Sequence, residues 1–257
     1  DAAGNAATQH SSTTFTVDTT APTISTVTTS WGSVLNSIED DSDGTITIAT
    51  SGVEDGQLVT VILNSKSYTG SVSSNTASIT VSAADLQALS ESSTYTLSAN
   101  VSDAAGNAAT QHSSTTFTVD KTAPGKPANA VSVAAASDGT ISASEKSSGV
   151  SVSIDLTNTS AAIGDTVELL LNGSSFTSPV NYVLQSSDID NGSVFIRIDG
   201  QSGWGNDGTK ELSARVIDTA GNVGVASDAL SVVLEASPPN VLSVTSSTAD
   251  GTYNIGD

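Results

Sequence analysis

The chain has 257 residues, of which 27 are acidic and 7 basic, for a formal net charge of −20. A field of that sign repels nucleic acid and anionic membrane surfaces and attracts divalent cations. The absence of cysteine excludes a disulfide framework and thiolate metal sites, and no apolar run approaches the length of a membrane-spanning helix.

Hydrophobic residues make up 37% of the sequence, but they are gathered into short alternating runs, the pattern of folded β modules with thin cores rather than of a disordered acidic tail. Residues 1–22, DAAGNAATQHSSTTFTVDTTAP, return at 103–124 as DAAGNAATQHSSTTFTVDKTAP, with Thr19 against Lys121 the one mismatch. The repeat is long enough for each unit to be a small domain of its own. A weaker third copy aligns LSANVSDAAGN at 97–107 with LSARVIDTAGN at 212–222. Because the first residue falls inside a repeat, the chain is expected to be a slice of a longer tandem array.

Residues 1–22 read as the end of a preceding module: a loop, a strand at 13–17, and a linker at Thr20-Ala21-Pro22, where proline lacks the donor a ladder needs. A first module covers 23–124, with strands predicted at 24–28, 45–49, 58–63, 67–72, 77–81, 94–101 and 115–119. The run SAADLQAL at 82–89 carries a cap and apolar spacing for one or two helical turns. Tyr95 stands where a tyrosine corner would, although a plain core tyrosine fits equally; Lys210 takes the same place in the second module. That module covers 125–237, with strands predicted at 130–134, 150–156, 166–171, 180–184, 193–198, 211–217 and 230–234, and 238–257 begins a third. Short strands at this spacing predict an all-β fold: tandem immunoglobulin-like antiparallel β-sandwich modules in a linear array. Both end pieces, cut off from partner strands, are expected to fray or borrow edges.

In such a sandwich the loops alternate between two poles, which sorts the acidic residues. Asp18 is expected to face Glu54, Asp55 and Asp103 at the first module junction. At the second, Glu39, Asp40, Asp41, Asp43 and Asp120 should face Asp165, Asp188, Asp190 and Asp218. Glu235, Asp199 and Asp207 fall at the last junction. Crowded carboxylates repel unless a cation sits among them, and calcium accepts about six to eight oxygen ligands with tolerant geometry. Any one of these acids could equally be a solvated loop residue; the recurrence of Asp18, Asp103, Asp120 and Asp218 beside linkers argues for metal. Asp188-Ile-Asp190-Asn-Gly resembles the opening of a calcium loop but lacks the closing glutamate. The Asp-x-Ala-Gly-Asn runs could also be simple turns, with Gly106 and Gly221 taking positive φ.

Nothing in the sequence points to catalysis. The run Gly203-Trp-Gly-Asn-Asp-Gly208 matches a dinucleotide fingerprint but precedes a strand rather than a helix. His10 and His112 occupy one repeat position with no nucleophile placed around either. Trp31 and Trp204 are expected to shield loops, and if exposed could stack on a sugar.

Asp103-Ala-Ala-Gly-Asn107 followed by Val119-Asp-Lys-Thr-Ala-Pro124, with Val53-Glu-Asp-Gly-Gln57 and Ala249-Asp-Gly-Thr252, resembles the bacterial immunoglobulin-like repeats of giant RTX-type adhesins. The resemblance implies a type I secreted, extracellular protein of the bacterial cell surface, active in adhesion and biofilm formation. It implies monomeric extender modules partnered by their neighbours in the same chain, with calcium at Asp18, Asp103, Asp120 and Asp218. The second module departs from the pattern, with Glu235-Ala-Ser-Pro in place of Asp-x-Thr-Ala-Pro. The sequence reading is therefore a non-enzymatic, calcium-stiffened stalk that holds terminal ligand-binding domains away from the cell. Its rivals are a glycan-binding module and a non-catalytic arm of a secreted polysaccharide-active enzyme.

Overall fold

The computed structural model describes residues 1–200, 203–238, 240, 242–243 and 251–252. Most of the third module predicted at 238–257 lies outside the described residues. The chain divides into two compact units, Asp1–Thr122 with Ala220–Asn222, and Ala123–Thr219 with Val223–Asp257.

The first unit contains, in chain order, β1 (Thr23–Thr29), β2 (Val34–Leu35), β3 (Gly44–Ser51), β4 (Leu58–Leu63), β5 (Lys66–Ser71), β6 (Thr76–Val81), α1 (Ala83–Gln87), β7 (Thr94–Asn100) and β8 (His112–Val119). They form a three-stranded sheet, β1-β3-β6, and a five-stranded sheet, β2-β8-β7-β4-β5. The pairs are antiparallel except β2 with β8, which is parallel through Val34 opposite Thr118 and Leu35 opposite Val119. Alternation places Ile46, Ile48, Ala77, Ile79 and Val81 from one sheet against Val59, Val61, Leu63, Leu97, Phe117 and Val119 from the other, all buried in one core. Each such aliphatic or aromatic side chain contributes about 1.5–3 kcal/mol by leaving water. Trp31 closes one end, meeting Phe117 edge-on with ring centroids 5.3 Å apart.

The predicted strands of this module are present, and Ser82 caps α1 through an N–H bond from Asp85 at 3.3 Å. Asp85 also accepts Lys66 Nζ at 2.6 Å. Burial, together with a hydrogen bond to Asp85 and its charge, pushes the neighbouring Tyr68 phenol up to about 12. Tyr95 forms the corner: its hydroxyl accepts the Ser90 N–H at 2.9 Å while its ring stacks on Phe117. β2 was not predicted, because two residues carry no readable alternation.

The strand expected at 13–17 is absent, which is the fraying expected of an end piece cut off from partner strands, although 10–17 and 112–119 share the sequence HSSTTFTV. In β8, Phe117 and Val119 are 2% and 1% exposed; in the first copy Phe15 and Val17 are 86% and 77% exposed. The difference is tertiary, since no strand among the described residues lies beside the first copy, and an unpaired β-run gains neither ladder bonds nor a buried face.

The second unit repeats the wiring. It contains β9 (Ser132–Val133), β10 (Thr140–Ser142), α2 (Ala143–Ser148), β11 (Val150–Asp155), β12 (Thr166–Leu171), β13 (Ser174–Val183), α3 (Ser186–Asn191), β14 (Ser193–Ile198), β15 (Gly208–Ile217) and β16 (Leu230–Glu235). The sheets are β14-β11-β9 and β10-β16-β15-β12-β13, and β10 runs parallel to β16. Trp204 and Phe176 meet edge-on in its core, with ring centroids 5.8 Å apart.

Four elements here differ from expectation, the first being β10, whose three residues carry no readable alternation. β13 begins directly after a hairpin turn at Asn172 and Gly173, whose φ values of 52° and 76° suit a primed turn. Its polar first half and a register slip opposite Leu169 and Leu170 hid it from alternation. α2 has no buried residue and is set by the Ser142–Glu145 capping box. α3 occupies the stretch read as a calcium-loop opening: Asp188 lies in its first turn, accepting the Gln185 N–H at 2.8 Å, and Gly192 ends it in the left-handed region. Among the described residues no helix is long and apolar enough to cross a membrane.

Candidate metal-binding turns

The repeated motif makes the same turn wherever it occurs in full. At 103–107 the Asn107 N–H donates to Asp103 Oδ1 at 2.8 Å, and the Asn107 amide donates to Asp103 Oδ2 at 2.9 Å. At 1–5 Asn5 closes on Asp1 in the same way, both bonds at 3.0 Å. Gly106, with φ 93°, supplies the left-handed residue the turn requires. Asp103 is buried, and Asn107 holds its carboxyl below the usual range, first through its side-chain amide and then with the N–H groups of Asn107, Gly106 and Ala105, against an upward push from desolvation.

A depressed folded-state pKa stabilises the fold above the ordinary carboxylate value, and that contribution is lost as pH falls through the folded value. Asn107→Ala is expected to move the Asp103 pKa upward, read by carboxyl-carbon NMR titration. An unchanged titration would assign the depression to the backbone N–H groups alone.

Two further groups converge on this turn. Glu54 Oε2 accepts the Ala104 N–H at 2.8 Å, and the Asp18 carbonyl accepts the Asn107 amide at 3.2 Å. Thus Asp18, Glu54 and Asp103, predicted to share a site, meet around one five-residue loop. Asp55 is committed to the Ser74 N–H at 2.7 Å.

The related turn at 218–222 uses its asparagine in the same role. The Asn222 amide donates to the Asp120 carbonyl at 2.9 Å, and its oxygen accepts the Ser37 N–H at 2.8 Å. Asn36 adds an amide bond to the Ala220 carbonyl at 2.8 Å. Asn107 on Asp18 and Asn222 on Asp120 are therefore one interaction at two repeats. The signal for this contact in the sequence is the recurrence of an asparagine one residue after each glycine, at 107 and 222.

The remaining acids are dispersed among other partners. Glu39 accepts the Asn36 N–H at 3.1 Å, Asp41 the Gln87 amide at 3.3 Å, and Asp43 the Ala83 N–H at 2.9 Å. Asp40 is buried with Lys121 Nζ 3.4 Å away, and that ammonium also donates to the Gln87 and Leu89 carbonyls. The cation among these carboxylates is thus Lys121, the one residue by which the two long repeats differ.

In the second unit, Asp165 is buried and accepts the Thr219 N–H at 3.1 Å and the Ala162 N–H at 2.8 Å, which ties it to the turn that starts at Asp218. Asp188 belongs to α3, and Asp190 is exposed on the same helix. Asp207 binds the Ala236 and Ser237 N–H groups, and these backbone bonds lower its pKa.

The donor set around 103–107 is all oxygen apart from amide nitrogen, which suits a hard cation such as calcium and not a thiolate- or imidazole-seeking metal. Among the described residues no group of three or more His, Cys, Asp or Glu side chains could hold a metal by itself. A cation at this turn would therefore draw on carboxylates, main-chain carbonyls and water together, as calcium does.

Trp31 and Trp204 are 3% and 1% exposed, so neither meets the condition of exposure under which an indole could stack on a sugar. His112 lies at the start of β8, its Nε2 2.9 Å from Thr115 Oγ1.

The fold makes this a protein of tandem immunoglobulin-like β-sandwich modules. No protein-family model and no curated protein matches the chain. Among solved structures it is similar to a 1.5-MDa bacterial ice-binding adhesin, at 28% identity over 84% of this chain and 65% of that one, with a TM-score of 0.42. It is also similar to a Ca²⁺-stabilized adhesin by which an Antarctic bacterium binds ice, at 31% identity over 92% of this chain and 55% of that one, with a TM-score of 0.44. A bacterial immunoglobulin-like domain from the M. primoryensis ice-binding adhesin matches at 30% identity over 38% of this chain and 99% of that domain, with a TM-score of 0.30. The chain spans less than two thirds of the first two structures.

Proposed function

We propose that this chain is a non-enzymatic extender segment of a bacterial surface adhesin, a spacer whose modules are held in register by calcium at their ends. The module boundaries proposed are 1–22, 23–124, 125–237 and 238–257. The observation that carries the reading is the repeated asparagine clamp, Asn107 on the Asp18 carbonyl and Asn222 on the Asp120 carbonyl. A contact rebuilt at successive repeats on the residues flanking each linker is what a spacer needs and what a lone binding module does not.

Asp18, Glu54 and Asp103 would hold the first ion, and Asp120, Asp165 and Asp218 the second, with Glu39, Asp40, Asp41, Asp55, Asp188 and Asp190 contributing charge that attracts it. Calcium supplies charge neutralisation in a chain of net charge −20, and this stabilises the folded, ordered arrangement by mass action. The protein's own groups orient the loops: Asn107 and Asn222 fix the two carbonyls, and Glu54 fixes the 103–107 turn.

The test compares small-angle scattering and thermal unfolding in millimolar calcium and in excess chelator. Chelation is expected to broaden the distribution of particle shapes and lower the melting temperature. Asp103→Ala should abolish most of that calcium response, and Glu211→Gln, at an exposed strand position, should leave it intact. Asp85 would be unsuitable as a control, since it pairs with Lys66 and accepts the hydroxyl of the α1 cap Ser82. Scattering and melting that ignore calcium would overturn the reading.

A further inference from the structure

The Lys121 side chain is 19% exposed and the Asp40 carboxylate beside it 9%. The Lys121 ammonium donates to the Gln87 carbonyl at 3.0 Å and to the Leu89 carbonyl at 2.9 Å, with Asp40 Oδ2 3.4 Å away. Both carbonyls lie at the C-terminal end of α1, where main-chain oxygens are left without helical partners. Three oxygens therefore face three N–H donors, the full complement of a lysine ammonium. We propose that these oxygens form a cation cage and that Lys121 is its tethered occupant, standing in for a metal ion, so that the chain leaving β8 is fastened to the first unit without calcium.

Asp40 sets the demand for a cation. A carboxylate so far out of water needs a compensating charge, and Asp41, which accepts the Gln87 amide at 3.3 Å, adds a second negative charge at the edge of the cage. Carboxylate and main-chain carbonyl oxygens are also the donors that a hard divalent ion takes. The motif around position 121 does not require lysine, since the repeat carries Thr19 at the same place. What lysine adds is attachment: a tethered ammonium has its own effective concentration at the cage and draws on no dissolved ion.

The fastening has a counterpart in the second unit. Glu91 accepts the Lys121 N–H at 2.9 Å and the Thr122 hydroxyl at 3.1 Å, so the loop before β7 holds the residues that follow β8. Asp207, in the loop before β15, accepts the Ala236 and Ser237 N–H groups at 3.0 and 2.8 Å, just after β16. Lys121 and Ala236 each stand three residues before a linker proline, Pro124 and Pro239. A carboxylate strap on the departing backbone is thus common to both units, and the first adds an ammonium where the second has an uncharged alanine.

The unaltered chain and two variants test this residue by residue. In the unaltered chain an amine-reactive ester should acylate Lys121 severalfold more slowly than Lys126, whose side chain is 43% exposed, both in millimolar calcium and in excess chelator. In Lys121→Thr, calcium should produce saturating shifts of the Gln87 and Leu89 carbonyl-carbon NMR signals, with a dissociation constant on the order of 10⁻⁴–10⁻³ M. Those signals should stay still in the unaltered chain, and Asp40→Asn added to Lys121→Thr should abolish the response. A Lys121 that becomes reactive when calcium is added would give the cage to the metal and refute the proposal, and this measurement needs no variant to fold. Lys121→Thr signals that ignore calcium would reduce Lys121 to a plain ion pair, and a response that survives Asp40→Asn would place the ion elsewhere; either result also refutes it. These readouts are local to the end of α1, so they and the scattering and melting test of the spacer can fail separately.

Discussion

Phe117→Ala is expected to destabilise the first unit by about 3–5 kcal/mol at micromolar chain, the cost of emptying an aromatic site in a packed core. Phe15→Ala, the same change in the same eight-residue sequence, should fall within about 0.5 kcal/mol of no effect. Phe117 touches both the Trp31 and the Tyr95 rings at centroid distances of 5.3 and 5.8 Å, so its loss also removes two aromatic contacts. Chemical denaturation followed by intrinsic fluorescence would measure both. Equal costs would mean that the first copy is packed in solution, contrary to its 86% exposure.

Trp204→Ala is expected to cost the second unit a comparable amount, about 3–5 kcal/mol, and to leave the unfolding transition of the first unit in place. The indole is buried edge-on against Phe176, between Gly203 and Gly205, whose φ values of 78° and 71° set it into the core. Calorimetry of the whole chain should show one transition moved and one kept. The same burial predicts that added oligosaccharide leaves Trp204 fluorescence unchanged. A quenching titration that saturates would restore the sugar-stacking role to that residue.

The features readable in advance were those whose bonds are local or whose pattern is strict. The Asp-Ala-Ala-Gly-Asn turn closes identically at 1–5 and at 103–107, because its hydrogen bonds lie within five residues and require no neighbour. Ser82 and Tyr95 were legible for a similar reason, since a cap and a corner each act within a few positions. Strand formation at 10–17 was not, because its outcome depends on a sheet that HSSTTFTV does not encode by itself. α2 and α3 escaped notice for the opposite reason: short, polar and held by capping carboxylates, they carry no apolar stripe. At the candidate site Asp18 and Glu54 reach the loop that Asp103 opens, the first through its carbonyl and the second through its carboxylate. The sequence does not show that Lys121 occupies the space beside Asp40, since a single lysine among many acids has no periodic signature.

The parallel pairings of β2 with β8 and of β10 with β16 determine how each sandwich answers a pull on its ends. Tension enters near the first strands and leaves after the last, so it acts in opposite directions along strands that lie side by side. The bonds joining Val34–Leu35 to Thr118–Val119, and Thr140–Ser142 to Val233–Glu235, are then loaded in shear and must rupture together instead of peeling in succession. Resistance to forced unfolding follows the barrier to that concerted break rather than the equilibrium stability. Modules with thin cores can on this account still resist a pull on their ends.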